Sequence, residues 1–172
     1  MFLNYFKDLA TKKIVKKSIS NVYQSTSDKV IKTVGIIFDE TYFYEKEALV
    51  KELIYNGINQ NDIKILVFKN KIKKNEIFDY PVFSNTDITW LATIDKKEIN
   101  DFIATPFDLL INYYDTEKPI LLLVSHLSKA SFKVGFSVID KRINHFMIDT
   151  NAENYKVFTE ELFKYLKILN KI

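Results

Sequence analysis

The sequence predicts an α/β domain: a Rossmann-like open, mostly parallel sheet of about five strands with helices on both faces, preceded by a basic N-terminal helix. Three observations carry this expectation. The apolar runs Val34-Gly35-Ile36-Ile37-Phe38, Ile63–Phe68 and Phe107–Tyr113 are close to continuous, as in strands buried on both faces. Segments of helical periodicity separate them. The alternation of the two kinds of segment is the grammar of a parallel sheet, because each parallel connection needs a crossover.

The first element lies in residues 1–32. Phe2, Leu3, Phe6, Leu9 and Ala10 share one helical face, after which Val15, Ile19 and Val22 define another. Ser20, Ser25, Thr26, Ser27 and Asp28 then break the periodicity, which divides a basic segment, 1–32, from an α/β domain over 33–172. The first strand ends in Asp39. Residues 42–56 predict a helix with Phe43, Leu49, Val50, Leu53 and Ile54 inward and Gly57 as its stop. A second strand covers 63–68, Lys69 to Lys74 reads as a solvated loop, and Pro81–Ser84 as an extended piece. Ser84 and Asp87 have the spacing of a helix cap, and 96–104 predict a short helix.

The clearest strand–helix–strand unit follows. It joins a strand over 107–113, a helix begun by Pro119 and running to about Ala130, and a strand over 132–136. Phe146-Met147-Ile148 predicts the last strand. The closing helix sets Tyr155, Phe158, Leu162, Tyr165, Leu166, Leu169 and Ile172 against Lys156, Glu160, Lys164, Lys167 and Lys171.

Composition narrows the chemistry. With 172 residues, 47% of them hydrophobic, the chain suits one domain with a sizeable core and lies outside disordered compositions. It has no cysteine, which excludes disulfides, thiolate zinc sites, Fe–S clusters and cysteine nucleophiles. The N-terminus begins apolar and turns basic, the reverse of a secretory leader. The longest aliphatic run, Ile120 to Val124, is far short of a bilayer span. The expected location is the cytoplasm, with peripheral contact to a membrane as a variant.

Net charge is +3, unevenly spread. Residues 1–32 hold seven lysines against Asp8 and Asp28, while the remainder is slightly acidic. Arg142 is the single arginine beside twenty-four lysines, a bias that tempers any argument from lysine number alone.

Phosphate-binding grammar is absent. A dinucleotide site needs a glycine-rich turn after the first strand, so that backbone can approach a pyrophosphate at a helix N-terminus. Here that turn is Phe38-Asp39-Glu40-Thr41-Tyr42-Phe43, acidic and bulky, and the whole chain has three glycines. Two of them, Gly35 and Gly135, sit inside strands, where glycine marks close packing or a ligand's approach. No cofactor is expected.

The positive candidates are carboxylates. Asp39, Asp115 and Asp149 each fall just past a strand end, where open parallel sheets bind ligands, and converging there they would suit Mg²⁺. The competing reading is that each caps the next helix. His126 and His145 are weaker candidates: a general base needs a partner in reach, and Ser125, Ser128 and Ser131 lie near His126 without a nucleophile-elbow motif.

The basic segment offers Lys7, Lys12, Lys13, Lys16 and Lys17 as contact residues. They suit anionic lipid, with Phe2, Leu3, Phe6 and Leu9 buried in the interface, or nucleic-acid phosphate bound without base readout. The plainer alternative is a helix docked on its own domain with its lysines in water.

The stretches Thr33-Val-Gly-Ile-Ile-Phe-Asp39, Phe107-Asp-Leu-Leu-Ile-Asn-Tyr113, Ser128–Ser137 and Glu161–Ile172 resemble a family of uncharacterised short proteins from Bacteroidota, which brings no catalytic residues. Residues 107–137 are also similar to the N-terminal half of heptosyltransferase-type glycosyltransferases. That likeness implies a Rossmann-like topology; the nucleotide-sugar domain of such enzymes has no counterpart here, so transferase activity does not follow.

The functional expectation is a non-catalytic binding or adaptor domain whose basic helix contacts a membrane surface, a ribonucleoprotein or a protein. The alternative is a small-molecule or Mg-dependent enzyme at the carboxyl ends of the strands.

Overall fold

The structure, a computed structural model, describes residues 11–19, 29–89 and 91–172. Helix α1 covers residues 11–18. There follow β1 (Val34–Asp39), α2 (Lys46–Tyr55), β2 (Ile63–Phe68), β3 (Val82–Phe83), α3 (Lys97–Ala104), β4 (Leu109–Tyr113), α4 (Pro119–Leu127), β5 (Phe132–Phe136), β6 (Phe146–Ile148) and α5 (Tyr155–Ile168). All neighbouring strands are parallel, in the order β3-β2-β1-β4-β5-β6. The expected fold class is the observed one: a doubly wound, Rossmann-like sheet.

The sheet has six strands where about five were expected. The sixth strand, β3, forms within the piece read as extended, Pro81–Ser84, and pairs with β2 over two residues. Its ladder is ended by chemistry: Val67 N–H donates to Pro81 O at 3.0 Å, but Pro81 has no N–H to continue the pattern downward.

Element ends depart from the sequence reading for local reasons. Helix α2 starts at Lys46, because the Asp39 carboxylate accepts Thr41 N–H at 3.0 Å and turns the chain. Phe43 is inward, as expected, but from that turn, with its ring 4.8 Å from Tyr113 and 6.0 Å from Phe38. Ile54, expected inward, is partly exposed. The stop is as expected: Gly57 has φ +101°, its N–H reaches Ile54 O, and Ile58 N–H reaches Leu53 O. That is the paired bonding of a Schellman cap. The Ser84 and Asp87 cap is also present, around the one-turn helix Asn85–Asp87. Strand β4 starts at Leu109 because the Asp108 carboxylate accepts the N–H groups of Lys32 and Thr33, tying the start of β1 to that of β4.

Helices α2 and α5 pack together on one face of the sheet, and α3 and α4 on the other. The connection from β5 to β6 has no helix. Right-handed crossover puts it on the α4 face, where Ile139 and Ile143 are buried. Helix α1 docks there. Thr11, Val15 and Ile19 are buried, Arg142 donates to Ile19 O at 3.1 Å, and Lys16 pairs with Glu117 at 2.6 Å. Glu117 in turn accepts Asp140 N–H. Helix α1 therefore stands beside the helix-free crossover and shares the core of the sheet domain.

Candidate functional site

In a doubly wound sheet, ligands bind beyond the carboxyl ends of the strands where the chain changes direction. Here that point lies between β1 and β4. Asp39, the last residue of β1, is 6% exposed, and its second carboxylate oxygen pairs with the Lys118 ammonium. Lys118 directly precedes α4, also donates to Thr41 Oγ1 at 2.7 Å, and lies 4.4 Å from the Phe68 ring centre. On the other side, Tyr113 Oη donates to Ala152 O at 2.6 Å. The place that other folds of this order leave open for phosphate is filled by an ion pair and aromatic rings.

Each of the three candidate carboxylates has a partner within the fold. Asp115 accepts Ala152 N–H at 3.0 Å and fastens the turn after β4 to the turn after β6. Asp149 accepts a hydrogen bond from Ser137 Oγ at 2.7 Å. Asp39, Asp115 and Asp149 thus have separate partners, and no metal-binding group of three or more His, Cys, Asp or Glu forms among the described residues. None is a helix cap either: Glu45, Lys118 and Asn154 hold the N-cap positions of α2, α4 and α5, without side-chain cap bonds.

A cavity of about 210 Å³ lies beside the filled point, past the ends of β1 and β2. Glu40, Lys46, Lys69, Glu76, Phe78 and Tyr80 are among its lining residues. Four of its charges are paired with one another: Lys46 with Glu40 at 3.1 Å, and Lys69 with Glu76 at 2.6 Å and Glu40 at 4.0 Å. The bond from Lys69 holds the Glu76 carboxyl below the usual carboxylate range. Sequence reasoning passed over Lys118, Glu40 and Lys69. The signal was present, since Glu40 and Lys69 directly follow strand ends as Asp39 closes one.

His145 Nδ1 accepts Lys133 N–H at 2.9 Å, and its ring stacks on Phe132. His126, near the end of α4, is pushed down from its ordinary pKa by burial and by the charges of Lys133 and Arg142. Ser125 does not serve it: that hydroxyl donates to Asn112 Oδ1 at 2.7 Å, within a buried chain that also joins Tyr114 and Asn144. Gly135 makes room for this chain, since a Cβ there would lie 2.6 Å from Asn144 Nδ2.

Lys133 is the unusual titratable group. It is buried in β5, and its ammonium donates to the carbonyls of Ser125 and His126, closing α4 at Leu127 short of the expected Ala130. Burial, helped by the charge of Lys129, pushes its pKa down to about 8. The unfolded chain keeps this proton to higher pH than the folded one, so Lys133 makes stability rise as pH climbs above about 8. Urea denaturation between about pH 8 and 10 should show the wild type gaining on the order of 2 kcal/mol relative to Lys133→Met. Parallel curves for the two proteins would contradict the assignment.

On α1, Lys12, Lys13 and Lys17 are exposed, while Lys16 is held by Glu117. Lys7, with Phe2, Leu3, Phe6 and Leu9, lies outside the described residues. No helix among the described residues is long and apolar enough to cross a membrane.

Comparison with curated proteins finds no match. A family model, described as a family of unknown function, matches residues 7–169, which spans α1, the whole sheet and α5. The chain belongs to that family, DUF6913.

Proposed function

We propose that the chain is a non-catalytic binding module that presents Lys12, Lys13 and Lys17 of α1 to an anionic partner. One observation carries this reading. Thr11, Val15 and Ile19 seat the helix on the domain, so its exposed lysines form a fixed face. Lysines act there as point charges, suited to phosphate groups of lipid or nucleic acid and not to base readout. The filled crevice at Asp39 and Lys118 supports the non-catalytic part. A cytoplasmic location, at the membrane periphery where the partner is lipid, belongs to the same proposal.

Deleting the segment is a poor test, because Val15 and Ile19 belong to the core. Charge reversal is cleaner. The variant Lys12→Glu/Lys13→Glu/Lys17→Glu should fold normally and lose at least tenfold in affinity for vesicles containing phosphatidylserine or for poly(U), whichever the wild type binds. Unchanged binding to both, or no wild-type binding to either, would end the proposal.

The cavity at Glu40, Lys46, Lys69 and Glu76 favours a second reading, a small-molecule site at the strand ends. A fragment screen by NMR that perturbs the amides of Glu40 and Lys69 would support it, and Lys69→Met should abolish the effect. No perturbation there would remove it.

A further inference from the structure

We infer that the outer edge of β2 is a docking site for an extended segment of a partner protein that carries an apolar side chain next to a lysine or arginine. Strand β2 pairs with β1 along its whole length, Val34↔Ile63 through Asp39↔Phe68. On its other side β3 matches only Val67 and Phe68. The N–H groups of Val67 and Lys69 reach across to Pro81 and Phe83, so alternate residues of β2 point to this side. Ile65 and Ile63 are the next two in that series. The Ile65 amide makes no backbone bond across this edge among the described residues, and Pro81 has no N–H for the Ile65 carbonyl, while the Ile63 amide turns back to Gln60 O.

Next to that open edge lies a groove of about 410 Å³. Ile63, Ile65, Tyr80, Pro81 and Phe102 give it apolar walls. Its rim carries Glu98 and Asp101 of α3 against a single lysine, Lys64. Glu98 has no ion pair among the described residues, and Asp101 has a loose one with exposed Lys97 at 3.5 Å. The unpaired main chain of Ile65, an apolar slot and a net acidic rim together describe strand addition. The main chain of the incoming segment supplies the hydrogen bonds, one side chain enters the slot, and a basic neighbour meets the rim. The surface is separate from α1 and does not depend on the reading given to it.

The test is selection of a phage-displayed random octapeptide library on the folded full-length chain, followed by NMR titration of the enriched peptide. The expected product pairs an apolar residue with a basic one and shifts the amides of Ile63, Ile65 and Phe102. N-methylation of the peptide residues facing β2 should weaken binding at least tenfold, while methylation of the alternate residues leaves it unchanged. Glu98→Lys/Asp101→Lys should remove the basic preference, and Thr105→Trp, at the rim, should block the slot. No enriched sequence, shifts elsewhere, or indifference to N-methylation would overturn the inference. Concentration-dependent shifts of the same amides without peptide would assign the edge to a second copy of the chain and overturn it equally.

Discussion

Asp39→Ala is expected to destabilise the fold by about 3 kcal/mol or more, the usual result of removing one partner of a buried ion pair. The side chains of Lys118 and Asp39 are 14% and 7% exposed, so the ammonium left behind has little access to water. Thr41 Oγ1 and the Phe68 ring would remain as partners, which keeps the loss toward the lower end of such cases. Urea denaturation measures it. The double variant Asp39→Ala/Lys118→Met should recover much of the loss, because it removes both charges from the same apolar surroundings. A single-variant loss below about 1 kcal/mol would show that the pair is solvated and that the crevice is open.

Gly35→Ala is expected to lower stability by about 3 kcal/mol, at the upper end of overpacking effects. A Cβ at Gly35 would lie 2.7 Å from two Phe107 ring carbons and 3.1 Å from Phe102. Those rings pack on each other with centres 4.9 Å apart, and β1 is hydrogen-bonded on both sides. Neither the rings nor the strand can yield easily. Gly35→Ala/Phe107→Leu should regain part of the loss, since it trims the contacting ring. Near-neutral behaviour of the single variant in thermal unfolding would mean that Phe107 moves freely, contrary to its burial.

The sheet was legible because its chemistry is local and repetitive. Nearly continuous apolar runs announced β1, β2 and β4, the strand–helix–strand pattern announced β5, and Gly57 announced the end of α2. What escaped the sequence were contacts that join distant residues. Phe43 fills the core from a turn that Asp39 makes, which moved the start of α2 to Lys46. Lys133 closes α4 from a neighbouring strand, so that helix ends early.

The candidate site shows the same limit. Asp39, Asp115 and Asp149 were placed at strand ends by pattern, but their partners are Lys118, Ala152 and Ser137, and no periodicity names such partners. Lys12, Lys13 and Lys17 could be singled out as basic. That they stand on a seated helix depends on Val15 and Ile19 reaching the core and on contacts with Glu117 and Arg142, which lie far along the chain.

The most direct measurement of the central claim is the salt dependence of binding to poly(U) or to phosphatidylserine vesicles. For poly(U), each lysine that displaces a counterion contributes a slope of about −0.7 in log affinity against log salt. The account predicts a clear negative slope for the wild type that flattens by about 2 in Lys12→Glu/Lys13→Glu/Lys17→Glu, with unchanged thermal stability; for vesicles, a steep loss with salt that the variant lacks. Equal slopes for the two proteins would contradict the claim that α1 is the contact surface.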